Sequence, residues 1–228
     1  MMDDEPSYFR NSRLEMRKFL PRSPATVLEI GCGSGSFRGN LGDSSEYWGV
    51  ELDATAASEA EKKLDVVLIG AYDLVQDKIP LGYFDLIICN DVIEHVQDHD
   101  TFIESLKEKI KPSGHLVASI PNVRYLPNLI DLLFLKDWEY KDSGILDNTH
   151  LRFFTKKSIF RTFAKHDFEV ELCEGINEMS RPGVFTVVAK LIGSLAFGRD
   201  VKFLQFGLRA MVRSSKNIEG PKPKEQIR

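Results

Sequence analysis

The feature that most constrains the fold is a glycine-rich turn after a short, mainly apolar run. Residues 26–30 have the composition of a buried strand, and glycines follow it as Gly31, Gly33 and Gly35. Glycine allows a tight turn and lets a ligand approach the backbone. A strand, a glycine turn and a helix in this order are typical of nucleotide sites at the edge of a parallel sheet. We therefore expect a βα unit whose turn binds a nucleotide.

Signals for strands and helices alternate along the rest of the chain. Apolar runs predict further strands at 47–51, 65–70, 84–90, 115–120, 168–173 and 205–212. Composition and helical periodicity predict helices at 54–64, 99–110, 126–135 and 155–165. This alternation implies βαβ units and therefore a mainly parallel sheet.

The chain length of 228 residues indicates one domain, which we place at residues 1–213, with a flexible tail at 214–228. Within the domain, the segment 175–204 is rich in apolar residues and is interpreted as a helical insertion before the last strand. Its longest apolar stretch, 184–198, is shorter than the ~20 residues of a membrane span. The stretch is expected to be core or an oligomer contact, as in a homodimer, or alternatively a substrate lid or a peripheral membrane contact.

Composition narrows the function classes. The 34 acidic and 30 basic residues give a net charge of −4, which argues against a general nucleic-acid binder. The three cysteines form no C-x-x-C pair, so we expect neither a disulfide framework nor a metal site. The acidic residues 1–6 lack the form of a signal peptide, and together with reduced cysteines this predicts a cytoplasmic protein.

Two polar positions complete the expected nucleotide site. Glu51 ends the second strand, 20 residues after Gly31, where a carboxylate can accept both hydroxyls of a ribose. The alternative is a charge at the N-terminus of the next helix. Asn90 and Asp91 follow the fourth strand, beside the first, where open α/β sheets bind ligands. A nicotinamide-dependent reductase is a competing hypothesis, but Ser36 stands where its G-x-G-x-x-G pattern requires a third glycine or an alanine.

Residues 27–36, 49–53 and 84–96, in this order and spacing, resemble a class I S-adenosylmethionine-dependent methyltransferase. Residues 119–124 and 138–155 resemble a bacterial subfamily that often accompanies glycosyltransferases. The resemblance implies an α/β, Rossmann-like three-layer sandwich with a mostly parallel seven-stranded sheet and an antiparallel last strand. It also implies S-adenosyl-L-methionine as cofactor, S-adenosyl-L-homocysteine as product, and methylation of a hydroxyl of a small molecule, a sugar or a polysaccharide precursor.

The resemblance also assigns the cofactor contacts. The three turn glycines line the methionine and ribose portion, and Glu29 orients the turn and contacts the cofactor's amino group through water. Glu51 binds the ribose diol, and the backbone carbonyl of Asn90 accepts from the methionine ammonium. Where the family has an acid after the third strand, this chain has Ala71, and Tyr72 or Asp73 would have to compensate.

Two histidines are the candidates for the base that takes a proton from a hydroxyl acceptor: His95 and His150. The alternatives are a helix-capping or structural, backbone-bonded histidine for His95 and a buried hydrogen-bonded turn for His150. Asp91, Tyr125 and Arg152 are predicted to contact the acceptor, with Arg152 alternatively clamping an acidic residue, Asp147 or Glu94.

Two further functions stay open at this point. An amine or a carbon could replace the hydroxyl as acceptor, which would make the protein an N- or C-methyltransferase of a metabolite. A non-catalytic cofactor-binding protein is the third hypothesis, and the missing acid at Ala71 favours it.

Overall fold

The computed structural model describes residues 12–42, 45–179 and 193–213. Seven strands form one sheet in the order β3-β2-β1-β4-β5-β7-β6. The strands are β1 Thr26–Ile30, β2 Glu46–Glu51, β3 Val66–Ile69, β4 Phe84–Asn90, β5 Ile110–Pro121, β6 Phe168–Glu178 and β7 Phe203–Val212. β7 runs antiparallel to both of its neighbours, and the other paired strands are parallel. The predicted mostly parallel sheet with an antiparallel last strand is confirmed.

Helices connect the parallel strands. They are α1 Ala54–Ala60, α2 Tyr72–Val75, α3 His99–Lys109, α4 Leu126–Ile130 and α5 Lys156–Lys165. Shorter 3-10 segments lie at Leu14–Phe19, Ser36–Asn40, Gln76–Lys78, Ile93–His95 and Arg199–Lys202, and a π-helical turn, Asp131–Leu135, extends α4. The helix expected directly after the glycine turn is thus a single 3-10 segment, Ser36–Asn40.

Two apolar clusters cover the two faces of the sheet. One packs β4 and β5 against α3 and α5, with Ile103 and Phe163 completely buried. The other packs the opposite strand faces against the N-terminal 3-10 segment, with Phe19 and Tyr47 completely buried. These layers on both sides of the sheet account for the three-layer architecture.

The last part of the described chain differs from prediction in its boundaries. β6 continues to Glu178 and β7 begins at Phe203, so both ends of the expected insertion 175–204 are strand. The extension follows from the antiparallel pairing, in which Gly175 lies opposite Phe206. Residues 193–197 are helical, whereas 180–192 and the predicted tail 214–228 lie outside the described residues. No helix within the described ranges has the length and apolar character that would carry it through a bilayer.

Candidate functional site

A cavity of about 560 Å³ opens where β1, β2 and β4 end. Parallel strands present their carboxyl ends at one edge of a sheet, which is why three separate sequence motifs meet here. Most of the predicted cofactor residues line this first cavity: Glu29, Gly31, Gly33, Glu51 and Asn90.

The glycine turn has the conformation expected of it. Gly31 has φ 70°, and a Cβ built there would lie 2.9 Å from a methyl carbon of Val92. Gly35, with φ 72°, is absent from the cavity wall and faces Leu64 and Ala60 of the α1 region instead. The missing side chain of Gly35 lets the turn approach this neighbouring segment, and the predicted cofactor contact of Gly35 stays a prediction.

Glu51 connects the turn to the end of β2. One carboxylate oxygen accepts from the backbone N–H of Gly33 at 2.7 Å, and the other accepts from the backbone N–H of Asp53 at 2.9 Å. The N-terminus of α1 is capped by Asp53, whose side chain accepts from Ala56 N–H at 2.8 Å. Glu51 is therefore not the helix cap, and its carboxylate lines the first cavity.

Glu29 is buried beneath the turn. Its carboxyl accepts a 2.8 Å hydrogen bond from the hydroxyl of Tyr47 on the neighbouring strand. Burial, reinforced by the charge of Glu51, raises the pKa of Glu29 to about 8. The side chain is thus mainly protonated at neutral pH, a property that the sequence pattern did not indicate.

The residues after β4 occupy the border of the cavity. Both side-chain amide atoms of Asn90 are buried without a hydrogen-bond partner among the described residues. Asp91 has φ 54° and accepts from Ser119 Oγ and from Gln205 Nε2, each at 2.8 Å. The Arg13 guanidinium forms an ion pair with the same carboxylate. Arg13 and Gln205 both line the first cavity, and sequence reasoning missed them because they lie far from every motif.

A second cavity, of about 550 Å³, adjoins the first. Four residues line both cavities: Asp91, His95, Leu204 and Gln205. The second cavity is also lined by Glu94, His150, Asp147 and Thr149. The two predicted base candidates therefore lie together, His95 at the shared wall and His150 deeper in the second cavity.

Hydrogen bonds indicate which nitrogen of each neutral imidazole carries the hydrogen. Thr149 donates its hydroxyl hydrogen to Asp147 at 2.6 Å, so its oxygen accepts from Nδ1 of His95 at 3.0 Å. Nδ1 of His150 lies 2.9 Å from the carbonyl oxygen of Ile145 and donates to it. Each Nε2 therefore carries a free lone pair in the neutral ring. Burial, together with the nearby His150, lowers the pKa of His95 and favours its neutral form.

The structure also bears on the alternatives for these histidines. His95 ends the 3-10 segment Ile93–His95, and α3 is capped by Asp98, so His95 caps no helix. His150 does make the turn hydrogen bond to Ile145, and its ring also lies 4.6 Å from that of His95. The turn contact and a place in the cavity wall are compatible.

Glu94 is the unexpected member of this region. Its side chain is fully buried, and neither carboxyl oxygen has a hydrogen-bond partner among the described residues. Burial, reinforced by the charge of Asp91, raises the pKa of Glu94 well above its usual range. Its ligand atom and those of His95 and His150 all lie within 4.8 Å of one another.

Several predicted contacts do not reach either cavity wall. Neither Tyr125 nor Arg152 is among the described residues that line the cavities. The Arg152 guanidinium donates to the carbonyls of Leu151 and Gln97, so it clamps backbone and not the side chain of Asp147 or Glu94. The hydroxyl of Tyr72 hydrogen-bonds Ser105, Asp73 is exposed, and neither residue lines the first cavity, so compensation for Ala71 stays a prediction.

Comparison with known proteins gives a family match over most of this site. Residues 7–172 match a family model described as a methyltransferase domain. The fold is similar to a S-adenosylmethionine-dependent methyltransferase from Archaeoglobus fulgidus, with a TM-score of 0.59 and 18% identity over 90% of this chain and 96% of that chain.

Curated relatives share the methyltransferase name. A mitochondrial ubiquinone biosynthesis O-methyltransferase of Schizosaccharomyces pombe is 34% identical over 46% of this chain and 41% of its own length. A ubiquinone biosynthesis O-methyltransferase of Rickettsia bellii is 26% identical over 68% of this chain and 65% of its own length. The chain thus spans less than two thirds of the length of either relative. Neither name refers to sugars, so the subfamily expected from residues 119–124 and 138–155 stays a prediction.

Proposed function

The chain belongs to the S-adenosylmethionine-dependent methyltransferases, and on that premise we propose that it methylates a hydroxyl group of a small molecule. The observation that carries this proposal is the shared wall of the two cavities. A donor in the first cavity and an acceptor in the second would meet at Asp91 and His95.

The first cavity suits the cofactor. Gly31 provides backbone without a side chain at the wall, and a Cβ there would crowd Val92. Glu51 offers a buried carboxylate to a ribose diol, and exposed Leu52 adds an apolar surface for the adenine. The unpartnered amide of Asn90, and its carbonyl, can contact the methionine portion. We propose that these residues, with Gly33 and Glu29, bind the cofactor.

The bound cofactor supplies an activated methyl group on a sulfonium, so the chemical step needs little beyond alignment and removal of a proton. The chain's own contribution is to orient the acceptor oxygen and to lower the cost of losing its proton. We place that contribution at Glu94, His95 and His150, which line the second cavity.

A hydroxyl is the favoured acceptor for two reasons. The relatives compared above are named O-methyltransferases. A hydroxyl also needs a site that promotes the loss of its proton, whereas a neutral amine does not, and the second cavity contains groups that can promote that loss. The acceptor class predicted from the sequence resemblance is a sugar or polysaccharide precursor, and hydroxylated precursors of ubiquinone are the class that the relatives' names favour.

Transfer of a labelled methyl group tests the proposal. The full chain is incubated with labelled S-adenosylmethionine and panels of sugar nucleotides and hydroxylated ubiquinone precursors, and the products are identified by mass spectrometry. Labelled O-methyl product from either panel supports hydroxyl methylation and identifies the acceptor class. Methyl transfer to nitrogen or carbon alone, or binding of S-adenosylhomocysteine with no transfer to any acceptor, would contradict it.

A further inference from the structure

Glu94, His95 and His150 form the one group, among residues 12–42, 45–179 and 193–213, in which three metal-ligating side chains converge. We propose that these three residues bind a divalent transition-metal ion at the wall of the second cavity. The binding itself is independent of the proposed function, and only the role of the ion rests on it. The cysteine spacing predicted no metal site, but these ligands are a carboxylate and two imidazoles from two distant segments.

The Glu94 carboxyl lacks the hydrogen-bond partners that its acidic neighbours have among the described residues. Asp91 in the same wall is bound by Arg13, Ser119 and Gln205, and Asp147 accepts from Thr149. Glu94 is fully buried, and neither of its carboxyl oxygens is bonded to a described residue. A buried polar group without a partner is costly, and a bound cation would offset a cost that no side chain of the described residues offsets.

The two imidazoles are oriented as those of metal-binding histidines are. A metal-binding histidine usually donates its other ring N–H to a backbone carbonyl or to a carboxylate. His150 donates to the carbonyl of Ile145, and His95 donates to Thr149, which donates in turn to Asp147. Both Nε2 atoms therefore have a free lone pair, as metal coordination requires.

The distances between the three side chains and the types of their ligand atoms also suit a metal ion. His150 Nε2 lies 4.0 Å from Glu94 Oε1, and two atoms bound tetrahedrally to one ion at about 2.1 Å lie about 3.4 Å apart. The whole group lies within 4.8 Å, so movements of about 1 Å in these side chains would bring the three atoms to tetrahedral spacing. Two imidazoles with one carboxylate suit zinc, cobalt or manganese, whereas magnesium and calcium prefer oxygen ligands.

An ion here would serve the proposed hydroxyl methylation directly. Three protein ligands leave coordination positions open, and all three residues line the second cavity, from which an acceptor oxygen can reach the ion. Coordination lowers the pKa of a hydroxyl, so its proton passes to water and the oxygen becomes a better nucleophile. A carbon–oxygen bond then forms as the carbon–sulfur bond breaks, and the sulfonium becomes a neutral thioether. The imidazoles act as ligands in this scheme, not as proton acceptors.

Cobalt binding tests the site without any acceptor. The full chain is treated with a chelator and titrated with Co²⁺, with the visible d–d bands and calorimetry as readouts. We expect one Co²⁺ per chain, and Asp147→Asn should weaken binding by about 10-fold through the lost support of His95. Glu94→Gln and His150→Ala remove ligands and should weaken it by more. His115→Ala, which removes an imidazole on β5 beside Glu171, is the matched control and should bind Co²⁺ like the parent.

S-adenosylhomocysteine calorimetry on every variant shows whether the first cavity is intact. A parent protein that binds this ligand but gives no cobalt bands would overturn the metal site and leave the proposed methyl transfer standing. Cobalt affinity that is unchanged in both ligand variants would also overturn it. A parent that binds Co²⁺ but not S-adenosylhomocysteine would contradict the proposed cofactor site instead.

Discussion

Arg13 pairs with Asp91, joining the segment before β1 to the residue that follows β4. The guanidinium also donates to Ser119 Oγ at 3.0 Å and to Gln205 Oε1 at 3.3 Å. Side-chain exposures of 14% and 15% make this a largely desolvated ion pair. It supports the left-handed backbone of Asp91 where the two cavities meet, so we expect both stability and site geometry to depend on this contact.

Replacing Arg13 with methionine should lower the free energy of unfolding by about 3 kcal/mol, because it leaves the Asp91 carboxylate largely buried without its cation. Urea denaturation measures the change. Lys18→Met is the matched control, since its pair with Glu174 is about half exposed and should contribute at most about 1 kcal/mol. Equal losses in the two variants would contradict the importance of burial at Arg13.

Glu51→Ala should weaken S-adenosylhomocysteine by about 100-fold, since two charge-assisted hydrogen bonds to the ribose are lost. Calorimetry gives the affinity, and circular dichroism checks the fold. Asp53→Ala separates this role from helix capping: it should cost about 1 kcal/mol of stability with the affinity retained. Unchanged affinity in Glu51→Ala would remove the ribose assignment.

Much of the fold could be predicted because most strands are short apolar runs that are visible in the local sequence. Residues 84–90 are mainly apolar, and the structure gives β4 the same bounds. The prediction was less accurate where pairing sets the limits. β6 extends to Glu178 because β7 supplies hydrogen-bond partners that no local pattern reveals.

The site was predictable to the extent that it is built from contiguous motifs. Gly31, Glu51 and Asn90 stand next to strand ends and line the cavity as expected. Arg13 and Gln205 come from opposite ends of the chain, and only the folded sheet brings them to Asp91. A place within a motif does not guarantee a place in the site. Arg152 belongs to a motif, but its guanidinium binds backbone carbonyls.

Glu29→Gln should flatten the pH dependence of stability. The carboxyl ionises with a pKa near its ordinary 4.5 when unfolded and about 8 when folded, so the native state keeps a proton that the unfolded state releases. Its contribution is complete below pH 4.5 and is lost progressively as the pH rises to about 8, at about 1.4 kcal/mol per pH unit. Urea denaturation from pH 5 to about 8 should show this slope reduced in Glu29→Gln and unchanged in the control Glu61→Gln, at an exposed site.

His95→Ala and His150→Ala should each retain S-adenosylhomocysteine affinity and lower methyl transfer by about 100-fold or more, because both side chains act on the acceptor's hydroxyl. Steady-state turnover with the acceptor that the labelled-methyl experiment identifies measures the loss, and calorimetry measures the affinity. His115→Ala is the control for removing an imidazole, since it lies on β5 beside Glu171 and outside both cavities. Loss of cofactor affinity in both site variants would place the two histidines on the donor side of the shared wall instead.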